Sequence, residues 1–121
     1  MTAGPNDTLR HVRSLLSTRR IHHIPIVEGS KLVGLLTTYD LFKLCKRSGE
    51  FDDILANEVI TTKLATLGPT AKVGTVAEIF HEHLFHAVPI VEENGDLVGF
   101  VTTLDVLKYS FKKEYPMQEI A

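Results

Sequence analysis

The chain has no tryptophan and only one cysteine, Cys45, among its 121 residues. A lone thiol cannot close an internal disulfide, which fits a reducing compartment, and a cytoplasmic location is expected. Cys45 falls on the apolar side of a short helix and reads as an inert packed thiol. No apolar run reaches the roughly 18 residues that a membrane-spanning helix needs, so no membrane association is expected. No basic segment followed by an apolar stretch opens the chain, so no secretory signal is read. Neither sign of charge dominates. With 13 Lys and Arg against 15 Asp and Glu, the net charge is -2, which argues against a non-specific grip on nucleic acid. The G-x-S-x-G, H-E-x-x-H, P-loop and GxGxxG patterns are all missing. No serine or cysteine has an evident base partner, so no catalytic residue is assigned and no enzymatic activity is expected.

What is present is a repeat. Gly34-Leu35-Leu36-Thr37-Thr38-Tyr39-Asp40 returns as Gly99-Phe100-Val101-Thr102-Thr103-Leu104-Asp105, shifted by 65 positions. Upstream, His22-His23-Ile24-Pro25-Ile26-Val27-Glu28 aligns with His86-Ala87-Val88-Pro89-Ile90-Val91-Glu92, a shift of 64. Leu9, Val12, Leu15 and Leu16 align with Val73, Val76, Ile79 and Phe80 at identical spacing. A period this long means a duplicated unit rather than a solenoid. The apolar fraction of 44% is enough for a core.

Each copy reads as β-α-β-β-α, with the opening strand of the first copy cut short. Residues 1–5 align with 65–69, where a strand over 64–67 ends at Gly68-Pro69. Asn6 or Asp7 is expected to cap the first helix. Its apolar face holds Leu9, Val12, Leu15 and Leu16. Arg10, Arg13, Arg19 and Arg20 fall on its wet side or at its C-terminus, where cations suit the dipole. Residues 24–27 form a β-branched strand, and Pro25 should lie at its start or at an edge. A turn over 28–31 leads to an apolar strand over 32–36, expected to be buried on both faces. A short helix runs from 37 to about 46. Residues 47–53 are the linker, and 54–60 lead into the second copy. There a helix spans about 73–84. Strands over 88–91 and 97–101 flank Asn94-Gly95, which favours a tight primed turn. The last helix spans about 105–112. The resulting domains are 1–50, 51–113 and a loosely held tail over 114–121.

Chemistry concentrates at Thr37…Asp40 and Thr102…Asp105. One reading is a capping box, which needs no ligand. The other uses the helix N-terminus as a phosphate site, with the threonine hydroxyl adding a hydrogen bond and the carboxylate accepting from a ribose. His22 and His86 stand at matched places, with His23 beside the first. As partial cations they suit phosphate, and such a contact strengthens as the ring protonates. His81 and His83 are two apart on a helix and do not share a face, so no metal site is assigned.

The duplicated hairpin entry and the G-h-h-T-x-x-D turn together resemble a pair of CBS domains, the Bateman module, over essentially the whole chain. The resemblance implies a mixed α/β (α+β) fold of two units about a pseudo-twofold axis. Clefts between the units would bind AMP, ADP, ATP or S-adenosylmethionine, with AMP or ATP the expected ligand and no cofactor required. Residue by residue it implies that Asp40 and Asp105 hold ribose. Thr37, Thr102, His22, His23 and His86 would approach phosphate, and Leu35, Leu36, Phe100 and Val101 would line adenine. His23 is answered by Ala87, so the two sites should not be equivalent. The resemblance also implies a disc-shaped homodimer acting on an effector domain or partner protein. The alternative is a ligand-free structural or dimerisation module.

Overall fold

The computed structural model describes residues 1–45, 53–62, 64–83 and 86–114. By its contacts the chain divides into two units. One is Met1–Leu64 with Gly95–Leu97, and the other is Ala65–Asn94 with Val98–Ala121. Residues 47–52 of the expected linker over 47–53, Leu84, and residues 115–121 of the expected tail over 114–121 lie outside the described residues, as does the side chain of Cys45.

In the first unit, helix α1 (Leu9–Arg19) buries Leu9, Val12 and Leu16, as the sequence periodicity predicts. Its cap is Thr8, whose hydroxyl accepts from His11 N–H at 3.2 Å. Neither Asn6 nor Asp7 caps it. Asp7 is engaged one turn earlier, where its carboxylate accepts from Gly4 N–H at 2.8 Å. Arg20 adopts a left-handed conformation (φ 54°), and its N–H closes the helix onto the carbonyls of Leu16 and Ser17.

Strands β1 (His23–Glu28) and β2 (Lys31–Thr37) form an antiparallel hairpin, with His23 opposite Thr37 and Pro25 opposite Leu35. Pro25 lies third in β1, not at its start. Leu35 sends both main-chain groups away from β1, exchanging bonds of 3.0 and 3.1 Å with Thr61. The Pro25–Leu35 pair is therefore a non-hydrogen-bonded one, and the missing proline N–H costs the ladder nothing. β2 is not buried on both faces as expected: Gly34 and Leu36 are buried while Leu32, Val33 and Leu35 are only half-buried. The sheet has two strands and one packed face, so burial alternates with the pleat. A Cβ on Gly34 would lie 2.9 Å from both Thr61 O and Ile60 Cδ1, so this close approach requires glycine.

Residues 54–61 pack on the same unit. Leu9 N–H bonds Ile54 O, Ala56 N–H bonds Asp7 O, and Asn57 N–H bonds Pro5 O, all at 2.8–2.9 Å. Ala56 joins Ala3, Leu9, Val12, Leu16, Ile24, Ile26, Leu36 and Leu41 in one buried cluster. Helix α2 (Thr38–Cys45) contributes Leu41. The turn residues Gly95–Leu97 also belong here. Leu32 N–H bonds Gly95 O, Leu97 N–H bonds Ser30 O, and the Asp96 carboxylate accepts from Ser30 Oγ and Lys31 Nζ at 2.8 and 2.9 Å.

The second unit holds α3 (Val73–His83), the hairpin β3 (Ala87–Val91) and β4 (Leu97–Thr102), and α4 (Thr103–Glu114). Its buried cluster is Val76, Phe80 and Val88, backed by Leu67, Ile79, Val101 and Val106. The opening strand expected over 64–67 is narrower than that span. Only Leu67 pairs, taking N–H and C=O bonds with Pro89 and Val91. Ala3 makes the same parallel bridge with Pro25 and Val27 in the first unit. Gly68-Pro69 follows Leu67, and proline has no N–H to extend the pairing. Among the described residues no helix is long and apolar enough to cross a membrane.

Candidate functional site

Each copy builds one turn between its second strand and the following helix. In the first, the Asp40 carboxylate Oδ2 accepts from Thr37 N–H and Thr37 Oγ1, both at 3.0 Å, while Thr37 Oγ1 accepts from Asp40 N–H at 3.1 Å. In the second, the matching distances at Thr102 and Asp105 are 2.8, 3.0 and 3.2 Å. The capping box read from the sequence is thus formed in both copies.

The box sets the chemistry of its members. An ionised carboxylate only accepts, so the threonine hydroxyl must donate its hydrogen to Asp Oδ2. That hydrogen is then committed, and in this arrangement the hydroxyl has none left for a phosphate. The helix N-terminus is filled in the same way. Thr38 N–H donates to His22 O and Thr103 N–H to His86 O, both at 3.0 Å, while Asp40 and Asp105 N–H are held by the threonines. The anion cradle expected at the helix start is therefore largely occupied by the protein's own acceptors.

The matched histidines act through their main chains. Their carbonyls fix the first helical residue, and their side chains are left exposed. The sequence signal was their shared position three residues before a strand proline, which the side-chain reading used and the backbone role explains. His23 is half-buried and faces Thr37 across the hairpin, where Ala87 stands buried in the second copy. Leu35, Phe100 and Val101 are half-buried, but Leu36 lies wholly within the first core, so its side chain has no surface to offer. Lys43 was not singled out by the sequence reading. Its ammonium lies 3.7 Å from Asp40 Oδ1 and 4.7 Å from the Tyr39 ring centre. The signal was available, since Lys43 follows Tyr39 by four residues and Asp40 by three, the two spacings at which helical side chains meet. Among the described residues no group of His, Cys, Asp or Glu could hold a metal ion.

Residues 1–47 and 56–112 match the CBS domain family. The chain belongs to the CBS domain family. Both CBS copies are matched, so the duplicated unit is a tandem CBS pair. The CBS domain-containing protein YhcV of Bacillus subtilis is 30% identical over 87% of this chain and 74% of its own length. Inosine-5'-monophosphate dehydrogenase of Thermoplasma acidophilum is 30% identical over 88% of this chain. The chain spans about a fifth of the length of several of the curated relatives it matches. The CBS domain pair of protein MJ0100, solved in complex with 5'-methylthioadenosine and S-adenosyl-L-methionine, superposes with a TM-score of 0.82 at 27% identity. That match covers 93% of this chain and 89% of that one.

Proposed function

We propose that this CBS pair is a non-catalytic sensing module that takes an adenosine-containing ligand, AMP, ADP, ATP or S-adenosylmethionine, at its TxxD turns. The observation that carries the reading is that one turn is built twice with the same bonds, and only one carboxylate oxygen is used in closing it. An ionised carboxylate offers about four acceptor sites. Thr102 takes two of them on Asp105 Oδ2, and Oδ1 is left for the two vicinal hydroxyls of a ribose. Capping and ribose binding are then compatible, and Thr37 and Thr102 position the aspartates. His22, His23 and His86 would meet phosphate or another charged group of the ligand. Leu35, Phe100 and Val101 would approach adenine, with Leu36 contributing backbone alone. The adenosine moiety common to both ligands of the MJ0100 pair supports this choice.

The module would work as a homodimer and act on an effector domain or separate protein. Tyr39 and Phe42 on α2 are 65% and 57% exposed, and at the matched positions on α4 Leu104 and Leu107 are 54% and 65% exposed. Exposed apolar pairs of this kind favour association with a second copy.

A second reading, a ligand-free structural module, is favoured by the internal satisfaction of both boxes. Calorimetric titration with AMP, ATP and S-adenosylmethionine separates the two. Saturable heat with one of them is expected, with a stabilisation of about 2.7 kcal/mol at a hundredfold excess over Kd. No heat and no thermal shift with any of the three would leave the structural reading standing alone.

A further inference from the structure

We propose that Asn94 is a site of spontaneous covalent modification, and that its conversion to isoaspartate releases the Gly95–Leu97 segment from residues 30–32. This does not rest on the ligand reading. The chain has three asparagines, Asn6, Asn57 and Asn94, followed by aspartate, glutamate and glycine respectively. Asparagine is among the chemically labile residues, and a following glycine has no side chain to obstruct attack by its own nitrogen. Asn94 is exposed in the β3–β4 turn, and Gly95 has φ 94°, a conformation open mainly to glycine. The main-chain nitrogen of Gly95 attacks the Asn94 side-chain carbonyl carbon. The bond to the side-chain nitrogen breaks, and ammonia leaves carrying the displaced proton. Water then opens the resulting succinimide at either carbonyl, giving aspartate or isoaspartate.

The two products differ in what they do to the chain. Aspartate adds a charge and leaves the backbone unchanged. Isoaspartate routes the backbone through the side chain and inserts a methylene just before Gly95. Gly95 O holds Leu32 N–H at 3.1 Å, and Leu97 N–H reaches Ser30 O at 2.9 Å. A lengthened backbone shifts both partners out of register. The new carboxylate also stands two residues from Asp96, whose carboxylate is already held by Ser30 and Lys31. The glycine of the first hairpin's turn, Gly29, follows Glu28, which lacks the amide this chemistry needs.

The test is to age the full chain at mildly alkaline pH beside a short unstructured peptide of the turn sequence. Peptide mass and isoaspartyl methyltransferase labelling read residue 94, and amide hydrogen exchange reads Leu32 and Leu97. The expected result is a mass gain of one unit and isoaspartate at Asn94, none at Asn6 or Asn57, and lost protection at Leu32 and Leu97. Asn94→Gln should abolish the conversion, and Asn94→Asp, read before ageing, should keep both amides protected. An Asn94 that stays intact while the peptide converts would overturn the proposal. So would conversion with protection unchanged, conversion persisting in Asn94→Gln, or an Asn94→Asp variant that loses protection by charge alone.

Discussion

The two CBS copies share a chain path and differ in how deeply they are packed. Leu9, Leu36 and Ile26 of the first are fully buried, whereas their partners Val73, Val101 and Ile90 are exposed or half-buried, Val73 by 38%. The turns follow suit. The Asp40 side chain is only 16% exposed and has Lys43 on its second oxygen, while Asp105 is exposed and has no ion pair among the described residues. The ion-pair difference at the turns goes with one substitution in the repeat. Lys43 and Lys108 occupy equivalent positions, but Lys43 lies over the Tyr39 ring, and the second copy has Leu104 there. Without a ring to lie over, Lys108 is not held against its aspartate. One sequence pattern thus yields a first turn directed toward stability and a second whose carboxylate is open.

The largest effect separates the cores. Leu9→Ala should cost about 2–5 kcal/mol, the usual range for a fully buried leucine, whereas Val73→Ala should stay within about 0.5 kcal/mol as an exposed helix substitution. Denaturant midpoints at unchanged m-value check this. Equal losses at the two positions would mean that the two cores are packed alike.

The turns should separate by less. Asp40→Ala removes a half-buried cap and is expected to cost about 1 kcal/mol, the typical value for a lost cap. Asp105→Ala, at an exposed box where solvent replaces the lost partner, should cost less. The ordering of the two midpoints is the result to read, and a reversed order would mean that burial does not set the worth of these boxes.

The smallest effect is the most specific. Tyr39→Leu makes the first turn resemble the second, and Leu104→Tyr does the reverse. Each should move stability by only a few tenths of a kcal/mol, since exposed pairs contribute little. Chemical shifts of the lysine ε-methylene should nevertheless show Lys43 leaving Asp40 in one variant and Lys108 approaching Asp105 in the other. An unmoved Lys43 in Tyr39→Leu would show that the ring is not what holds it.

Much of this was legible in the residues. The shift of 64 that pairs Ile26 with Ile90 also pairs Ala3 with Leu67, and both make the same bridge. The T-x-x-D spacing anticipated both boxes, because a capping box is local and needs only three residues of separation. What stayed hidden depended on partners distant in sequence. Asp7 seemed a fitting cap until Gly4 took its carboxylate. An apolar β2 read as buried on both faces, since periodicity cannot show that the sheet has only two strands. The pairing of Ser30 and Lys31 with Asp96 joins residues far apart in the chain, and no local pattern marks it. His22 and His86 drew notice for their rings, while the bonds that fix their helices are main-chain ones that any residue could supply.

Ribose binding at the second turn is proposed to run through a carboxylate that also caps its helix. Its most direct test is a side-by-side titration of the parent chain, Asp40→Asn and Asp105→Asn with whichever of AMP, ATP or S-adenosylmethionine the parent binds. Asparagine keeps an oxygen to accept from the threonine N–H, so the cap and fold are retained while the charge is lost. A hydrogen bond to a charged group is worth about 1.5–3 kcal/mol, so Asp105→Asn should weaken binding roughly tenfold to more than a hundredfold. Asp40→Asn should weaken it by less. If Asp105→Asn binds as tightly as the parent, the second turn is a helix cap alone.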